Sequence, residues 1–196
     1  MLIKHLVKKY EQKFQKSGLH NSLYDIDYIL SECLKINRNS IFFIQNTTIK
    51  DKKKKHIERL LKKRLARIPV QRIFKKVYFR DFELKLNRYN FIPRIDSELI
   101  IDILDDIGIR PKKILDLGTG SGALIISMLR HFKTAKGIGT DISYESIYMA
   151  KKNAIINNVE NKVSFICCDW LKVFAEIDFD LIVSNPPYIE TRIIES

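Results

Sequence analysis

The spacing of apolar residues divides the chain into a helical first part and a second part in which strand and helix patterns alternate. In the first 70 residues, apolar positions recur every three or four residues, as on the buried face of a helix. Three such stripes are present: Leu2, Leu6, Val7, Tyr10 and Phe14; then Leu23, Ile26, Leu30, Cys33 and Leu34; then Ile57, Leu60, Leu61 and Leu65. They predict a helical domain over residues 1–72, in which Asp51 is the candidate N-cap of the last helix.

After Pro69 the pattern changes to the alternation that is typical of strands. The segment V-Y-F-R-D-F-E-L-K-L-N alternates apolar and polar residues around Arg80 and Asp81, which suit a turn. We therefore predict a β-hairpin linker over residues 73–93. A helix should follow, with Asp96 or Ser97 as its cap and Gly108 at its end. Its predicted apolar face consists of Ile100, Ile103, Leu104 and Ile107.

From residue 94 to residue 196, strand and helix signals alternate. Strand patterns lie at 114–117, 135–141, 163–168 and 179–184, and helical patterns follow the first two of them. Such alternation predicts an α/β domain with parallel strands joined by right-handed crossovers. Ligands of such sheets bind beyond the carboxyl ends of the strands, so the residues that follow each strand are the candidate site.

The first of these strand ends carries a glycine-rich turn. Residues 113–122 read K-I-L-D-L-G-T-G-S-G, with glycine at every second position from Gly118 to Gly122. The spacing is neither the G-x-G-x-x-G of dinucleotide sites nor a phosphate-binding P-loop. It resembles motif I of the S-adenosylmethionine-dependent methyltransferases of Rossmann-like fold. We therefore predict that S-adenosyl-L-methionine contacts Gly118, Thr119, Gly120, Ser121 and Gly122.

Polar residues follow the next strands as well. Asp141 lies 19 residues after Gly122, a spacing suited to a carboxylate that accepts hydrogen bonds from ribose hydroxyls. Asp169 follows the third strand and can accept from an adenine amino group. Trp170 beside it offers an aromatic wall.

The fourth strand runs into Asn185, Pro186, Pro187 and Tyr188. The nitrogen of an amide or exocyclic amine is a weak nucleophile because its lone pair is delocalised. Two acceptors that converge on the NH₂ group, the Asn185 side-chain oxygen and the Pro186 carbonyl, would hold it out of conjugation. The prolines lack N–H groups and have fixed φ angles, so their carbonyls stay in place. Tyr188 can pack on the flat face of the substrate, and positioning then contributes most of the catalysis.

Charge is concentrated in one segment of the chain. The formal net charge is +12, and residues 50–67 hold ten Lys and Arg against Asp51 and Glu58. The lysines should line the outer face of an amphipathic helix. They form either a solvated surface or a docking surface for an RNA-containing partner, attracted through its phosphates.

Targeting and redox signals point to an ordinary intracellular protein. The apolar runs are too short for a membrane span, and the N-terminus lacks the apolar region of a secretory signal. We therefore expect a cytoplasmic protein with no membrane contact. The three cysteines form no C-x-x-C pair and the four histidines are scattered, which predicts reduced thiols and no metal site.

Taken in order, the motifs R-I-P-V-Q-R-I-F, F-R-D-F-E-L, F-I-P-R-x-D-S-E-L, I-L-D-L-G-T-G-S-G and S-N-P-P-Y-I resemble the PrmC/HemK family of glutamine methyltransferases. The resemblance implies transfer of a methyl group from S-adenosylmethionine to the glutamine amide of the Gly-Gly-Gln loop in class 1 release factors. It also implies cofactor contacts at 118–122, Asp141, Trp170 and Asn185, and a substrate amide held by 185–188. Ile95 departs from the family, which usually has a second proline there.

Length is a second departure from the family. The family's catalytic sheet has seven strands, whereas four strand signals precede the end at Ser196. The expectation is a shortened catalytic domain whose fourth strand is an exposed apolar edge. Two alternatives stay open: a methyltransferase for the adenine amino group of DNA or RNA, and an inactive fragment that only binds cofactor or partner.

Overall fold

The structure is a computed structural model that describes residues 1–20, 22–169 and 178–186. Contacts divide the chain into two units, Met1–Phe74 and a second unit that begins at Lys75. No helix in these described ranges combines the length and apolarity needed to cross a membrane. Of the residues predicted for the site, Trp170, Pro187 and Tyr188 lie outside the described ranges.

The first unit consists of helices packed on one apolar core. The helices are α1 (Ile3–Lys16), α2 (Ser22–Leu34), α3 (Asp51–Leu65) and α4 (Val70–Phe74), with a 3₁₀ helix at Arg38–Ile44. The α1 stripe is confirmed from Leu6 to Phe14, and Ile3 joins it in the core. In α3, Ile57, Leu60 and Leu61 are buried while most of the lysines between and around them are exposed, as expected for an amphipathic helix.

Two details of this unit differ from the sequence-based expectation. Leu23 is 48% exposed, and Tyr28 and Ile29 are buried in its place. The reason is that α2 is apolar around much of its circumference, so its sequence alone does not select the buried stripe. The N-cap of α3 is Lys50 and not Asp51, which is the first helical residue. There its charge still favours the helix through the macrodipole.

The second unit begins with the predicted hairpin, β1 (Lys76–Phe79) and β2 (Phe82–Lys85), which pair antiparallel. Its alternate residues Val77, Phe79, Phe82 and Leu84 lie in the core of this unit. The hairpin is hydrogen-bonded to two asparagines, one within a later helix and one at the C-cap of the same helix. The side chain of Asn153 accepts from Lys85 N at 2.8 Å and donates to Lys85 O at 3.0 Å, and Asn157 donates to Glu83 O at 3.1 Å.

The parallel α/β sheet is also confirmed. It contains β3 (Lys113–Leu117), β4 (Lys136–Asp141), β5 (Val163–Cys167) and β6 (Leu181–Ser184) in the order β5-β4-β3-β6. Helices α6 (Ala123–His131) and α7 (Tyr144–Ile156) follow the first two of these strands. In register, Leu117 of β3 pairs with Thr140 on one side and Ser184 on the other, so three strands end side by side.

The segment before the sheet differs from the prediction. Asp96 and Ser97 belong to a 3₁₀ helix, Ile95–Glu98, and neither caps α5 (Leu99–Asp106), whose N-cap is Glu98. The buried face of α5 is also different, since Ile101 and Leu104 are buried whereas Ile103 and Ile107 are 54% and 61% exposed. The segment is apolar on two faces, and periodicity does not choose between them.

Candidate functional site

The glycine turn joins the end of β3 to the start of α6. Thr119 N donates to Thr140 O of the neighbouring strand at 2.7 Å, and Gly122 N donates to Thr119 O at 2.8 Å, which closes the turn. Gly118 has a φ of +71° and no atom within 4 Å of the position that a Cβ would take. At this position a side chain is disfavoured by backbone conformation, and the backbone stays open to a ligand.

Gly122 has a different role from the glycines before it. Its φ is +84°, and an added Cβ would lie 2.9 Å from Ile126 Cδ1 and 3.3 Å from Ala150 Cβ. The residue therefore allows α6 to start close against α7. Gly122 is not among the residues that line the cavity described below.

Asp141, at the end of β4, holds the glycine turn by its carboxylate. Oδ2 accepts from Gly120 N and Oδ1 accepts from Ser143 N, both at 2.9 Å. These bonds fix the carboxylate at the carboxyl end of the strand, where each oxygen keeps a second lone-pair direction. The sequence predicted a ribose acceptor here but not the bond to the turn.

A second carboxyl group, that of Asp116, is buried at the end of β3. Thr119 Oγ1 donates to its Oδ2 at 2.6 Å. The pKa of Asp116 is raised to about 6, mainly by burial and to a smaller extent by the charge of nearby Asp141. The hydrogen bonds from Thr119 and from the Ile125 backbone act in the opposite direction.

These elements surround a cavity of about 410 Å³. The predicted residues Gly118, Thr119, Gly120, Ser121, Asp141, Asn185 and Pro186 all line it, together with Asp169. Charged side chains in the lining are Asp116, Asp141, Asp169 and Arg94, so acidic groups outnumber basic ones. Apolar walls come from residues that include Phe79, Phe91, Ile92 and Leu124.

A wider depression, of about 640 Å³, lies between the end of α5 and the end of α6. Three of its ionisable groups are already paired with one another, because Asp105 accepts from Arg110 at 3.0 Å and from His131 at 2.8 Å. It contains none of the strand-end residues that parallel sheets use for ligands. We therefore assign the site to the cavity at the glycine turn.

The segment after β6 also lines this cavity, next to the end of β3. Asn185 and Pro186 line it, and the Asn185 Nδ2 donates to Ser97 Oγ at 2.7 Å. Ser97 is buried and comes from the 3₁₀ helix, 88 residues away in sequence. The structure thus brings the glycine turn, Asp141 and Asn185 together around one space.

Two residues around the cavity were missed by the sequence analysis. The sequence suggests Ser97 only as a helix cap and indicates no role for Asn153. Asn153 is fully buried and donates to Ser121 O at 2.8 Å, so it ties the glycine turn to the hairpin strand that it also holds. A polar residue in the middle of a helical pattern was the available signal for Asn153.

No group of three or more His, Cys, Asp or Glu side chains is arranged to hold a metal ion in the part of the chain that the structure describes. None of the described cysteines, Cys33, Cys167 and Cys168, forms a disulfide. Burial is the main reason why the pKa of the Cys168 thiol is raised. A raised pKa keeps a thiol protonated and unreactive.

Comparison with known proteins identifies two regions. Residues 94–195 match the methyltransferase small domain, and residues 5–74 match the PrmC N-terminal domain. A release factor glutamine methyltransferase of Fusobacterium nucleatum is 34% identical over 188 residues, covering 94% of this chain and 53% of the relative. One of Aliivibrio fischeri is 32% identical and covers 96% of this chain and 66% of the relative.

The chain thus spans about half the length of the Fusobacterium relative. A bifunctional methyltransferase of Rickettsia typhi is 32% identical, with 95% of this chain and 40% of the relative covered. Among solved structures, a Pyrococcus abyssi tRNA (uracil-54, C5)-methyltransferase in complex with S-adenosyl-L-homocysteine is 22% identical, with a TM-score of 0.47. It covers 57% of this chain and 28% of that structure's chain.

Proposed function

The chain belongs to the PrmC/HemK methyltransferase family, and we propose that it methylates the side-chain amide of a glutamine with S-adenosylmethionine as the methyl donor. The proposed substrate is the glutamine of the Gly-Gly-Gln motif in class 1 peptide chain release factors. One observation carries the proposal: a single cavity is lined both by the glycine turn and by Asn185 and Pro186.

The charge of the cavity supports this cofactor over a dinucleotide. S-adenosylmethionine carries a sulfonium and an ammonium group and has no phosphate. Asp116, Asp141 and Asp169 would attract those cations, and they would repel the diphosphate of NAD. When bound, S-adenosylmethionine supplies a methyl group on a positively charged sulfur. We assign its contacts to residues 118–121, Asp141 and Trp170, whereas Gly122 supports the turn through helix packing.

The acceptor end is assigned to Asn185, Pro186, Pro187 and Tyr188. Asn185 Oδ1 and the Pro186 carbonyl would each accept a hydrogen bond from one of the two N–H groups of the substrate amide. Holding those bonds keeps the nitrogen lone pair available and aims it, so positioning is the main catalytic contribution. The amide proton leaves to solvent after transfer, and no side-chain base is required in this scheme.

We propose a separate role for each segment of the chain. Residues 1–72 would dock the release factor, residues 73–93 would link the domains, and residues 94–196 would carry the methyl-transfer site. The basic helix at 50–67 would add contacts with RNA phosphates near the release factor. A release factor substrate also makes the cytoplasm the proposed location of the reaction.

A methyl-transfer assay with alternative acceptors tests the proposal. The chain is incubated with radiolabelled S-adenosylmethionine and a class 1 release factor, its Gln→Ala variant in the Gly-Gly-Gln motif, adenine-containing nucleic acid, or no acceptor. We expect label only on the release factor that retains the glutamine. Label on nucleic acid would instead support an adenine methyltransferase, and cofactor binding without any transfer would support a non-catalytic binding role.

A further inference from the structure

We propose that Ser97 is a positioning residue that fixes the Asn185 side chain with its amide oxygen directed to the acceptor. The inference rests on the proposed function, because it gives Ser97 a role in holding the group that grips the substrate amide. Ser97 belongs to the 3₁₀ helix Ile95–Glu98, which is separate from the glycine turn and from the residues at the strand ends.

The observation is a short, protected hydrogen bond between two cavity residues. Asn185 Nδ2 donates to Ser97 Oγ at 2.7 Å. Ser97 is 7% exposed, and both residues line the cavity. Such a bond lies in a region of low dielectric, where an unmade bond is costly.

The orientation of the amide decides what the cavity can bind. A side-chain amide has an acceptor on one branch and two donors on the other. With the NH₂ group engaged by Ser97, the oxygen is the branch left to receive a substrate N–H. The reverse orientation would set the donors of Asn185 against those of the substrate amide. Donation to Ser97 also polarises the Asn185 amide and makes its oxygen a better acceptor.

The position of Ser97 is itself fixed from two sides. Within the 3₁₀ helix, Ser97 N donates to Arg94 O at 3.2 Å. From the hairpin turn, Arg80 donates to Glu98 O and to Asp102 Oδ1, both at 2.9 Å. Arg80 therefore holds the residue that follows Ser97 and the helix behind it. A chain of contacts runs from the hairpin turn through Ser97 to Asn185.

The test compares Ser97→Ala with Ser97→Thr, which restores a hydroxyl. Ser127→Ala is the matched control, because Ser127 is also buried but lies on α6 outside the cavity lining. The first measurement is hydrogen exchange of the Asn185 side-chain NH₂ by NMR on asparagine-labelled protein, with Asn185→Ala used to assign the signal. The second is S-adenosylmethionine affinity by calorimetry, and the third is kcat and KM for release factor methylation.

We expect exchange of the Asn185 NH₂ to become about tenfold faster in Ser97→Ala and to return to the parental rate in Ser97→Thr. The kcat should fall about tenfold in Ser97→Ala, with cofactor affinity within twofold and Ser127→Ala unchanged. Equal exchange rates in Ser97→Ala and the parent would overturn the inference. If the parent binds cofactor but transfers no methyl group, the proposed function fails, and the exchange arm still decides whether Ser97 holds Asn185.

Discussion

The two units of the chain differ in net charge and in how many polar residues they bury. Met1–Phe74 holds 18 Lys and Arg against six Asp and Glu, so it carries the whole net charge of +12, while the second unit holds 17 of each. Of the twelve buried polar or charged residues among those described, ten lie in the second unit. Six of the ten line the cavity: Ser97, Asp116, Thr119, Ser121, Thr140 and Ser146.

The contrast indicates where function is concentrated. Surface lysines stay solvated, so they change the free energy of folding little. A buried polar group, in contrast, destabilises the fold unless it has a hydrogen-bond partner. The second unit supplies such pairs for Asp116, Asn153 and Ser97 around one space. Departures from an apolar core that are compensated in this way are expected at functional sites.

The largest effect is expected from Asn185→Ala, which distinguishes acceptor positioning from cofactor binding. Methyl transfer should fall by about 10²–10³-fold, because the group that fixes the reacting amide is lost. Cofactor affinity should stay within a few-fold, since the glycine turn and Asp141, to which we assign most of the cofactor contacts, are unchanged. Turnover and calorimetry measure the two effects, with exposed Asn161→Ala as the control. Near-parental turnover would rule out amide gripping by this residue.

Gly122→Ala should destabilise the second unit by about 2–4 kcal/mol, because left-handed strain and overpacking add. The matched control is Gly108→Ala, whose φ is +73° but whose added Cβ would meet nothing within 4 Å. We expect about 1–2 kcal/mol there, from strain alone. Urea unfolding of both variants gives the difference, and equal losses would mean that packing against Ile126 and Ala150 is unimportant.

Asp141→Ala should weaken S-adenosylmethionine binding by tenfold or more, which corresponds to about 1.5–3 kcal/mol for a charge-assisted hydrogen bond. The loss includes the bond that holds Gly120 N in the turn. Asp106→Ala removes an exposed carboxylate beyond the cavity and should leave the affinity unchanged. Calorimetry that gave the parental affinity for Asp141→Ala would disprove the ribose assignment.

The buried Asp116 carboxyl predicts a pH dependence. Its pKa in the folded state, about 6, lies above the ordinary value of 3.8 for an aspartate. Protonation therefore favours the folded state: this contribution is present at low pH and is lost as the pH rises from 3.8 through about 6.

Asp116→Asn should remove this dependence, which amounts to at most about 1.4 kcal/mol per pH unit. Urea unfolding of the parent and the variant at intervals from pH 4 to pH 7 compares them. The free energy of unfolding of the variant should exceed that of the parent by the largest amount near neutral pH. A difference between the two proteins that does not change with pH would contradict a buried, ionising Asp116.

The smallest expected effect comes from reversing charge in the first unit. Changing Lys52, Lys55 and Lys62 to Glu should alter stability by about 0.5 kcal/mol or less per site, because these side chains are exposed. It should also abolish salt-dependent retention on immobilised RNA. The control reverses three exposed lysines of the second unit, Lys133, Lys136 and Lys151. Equal retention of both triple variants would leave the basic helix as a solvated surface.

The sequence predicted the parallel sheet, the hairpin and the residues at the strand ends, because these depend on local periodicity and on turn chemistry. It did not predict the buried face of α5, since Ile103 and Ile101 are equally apolar and only tertiary packing chooses between them. It also missed the bond between Ser97 and Asn185, because no local pattern links residues that are 88 positions apart. Long-range polar pairs of this kind form only when the chain folds.

In our proposal, the buried polar groups of the second unit form a site for S-adenosylmethionine. The decisive experiment is calorimetric titration of the parent chain with S-adenosylmethionine, and separately with NAD. We predict one binding site for S-adenosylmethionine and no heat of binding for NAD at the same concentrations. A folded chain that binds NAD, or that fails to bind S-adenosylmethionine, would contradict the account.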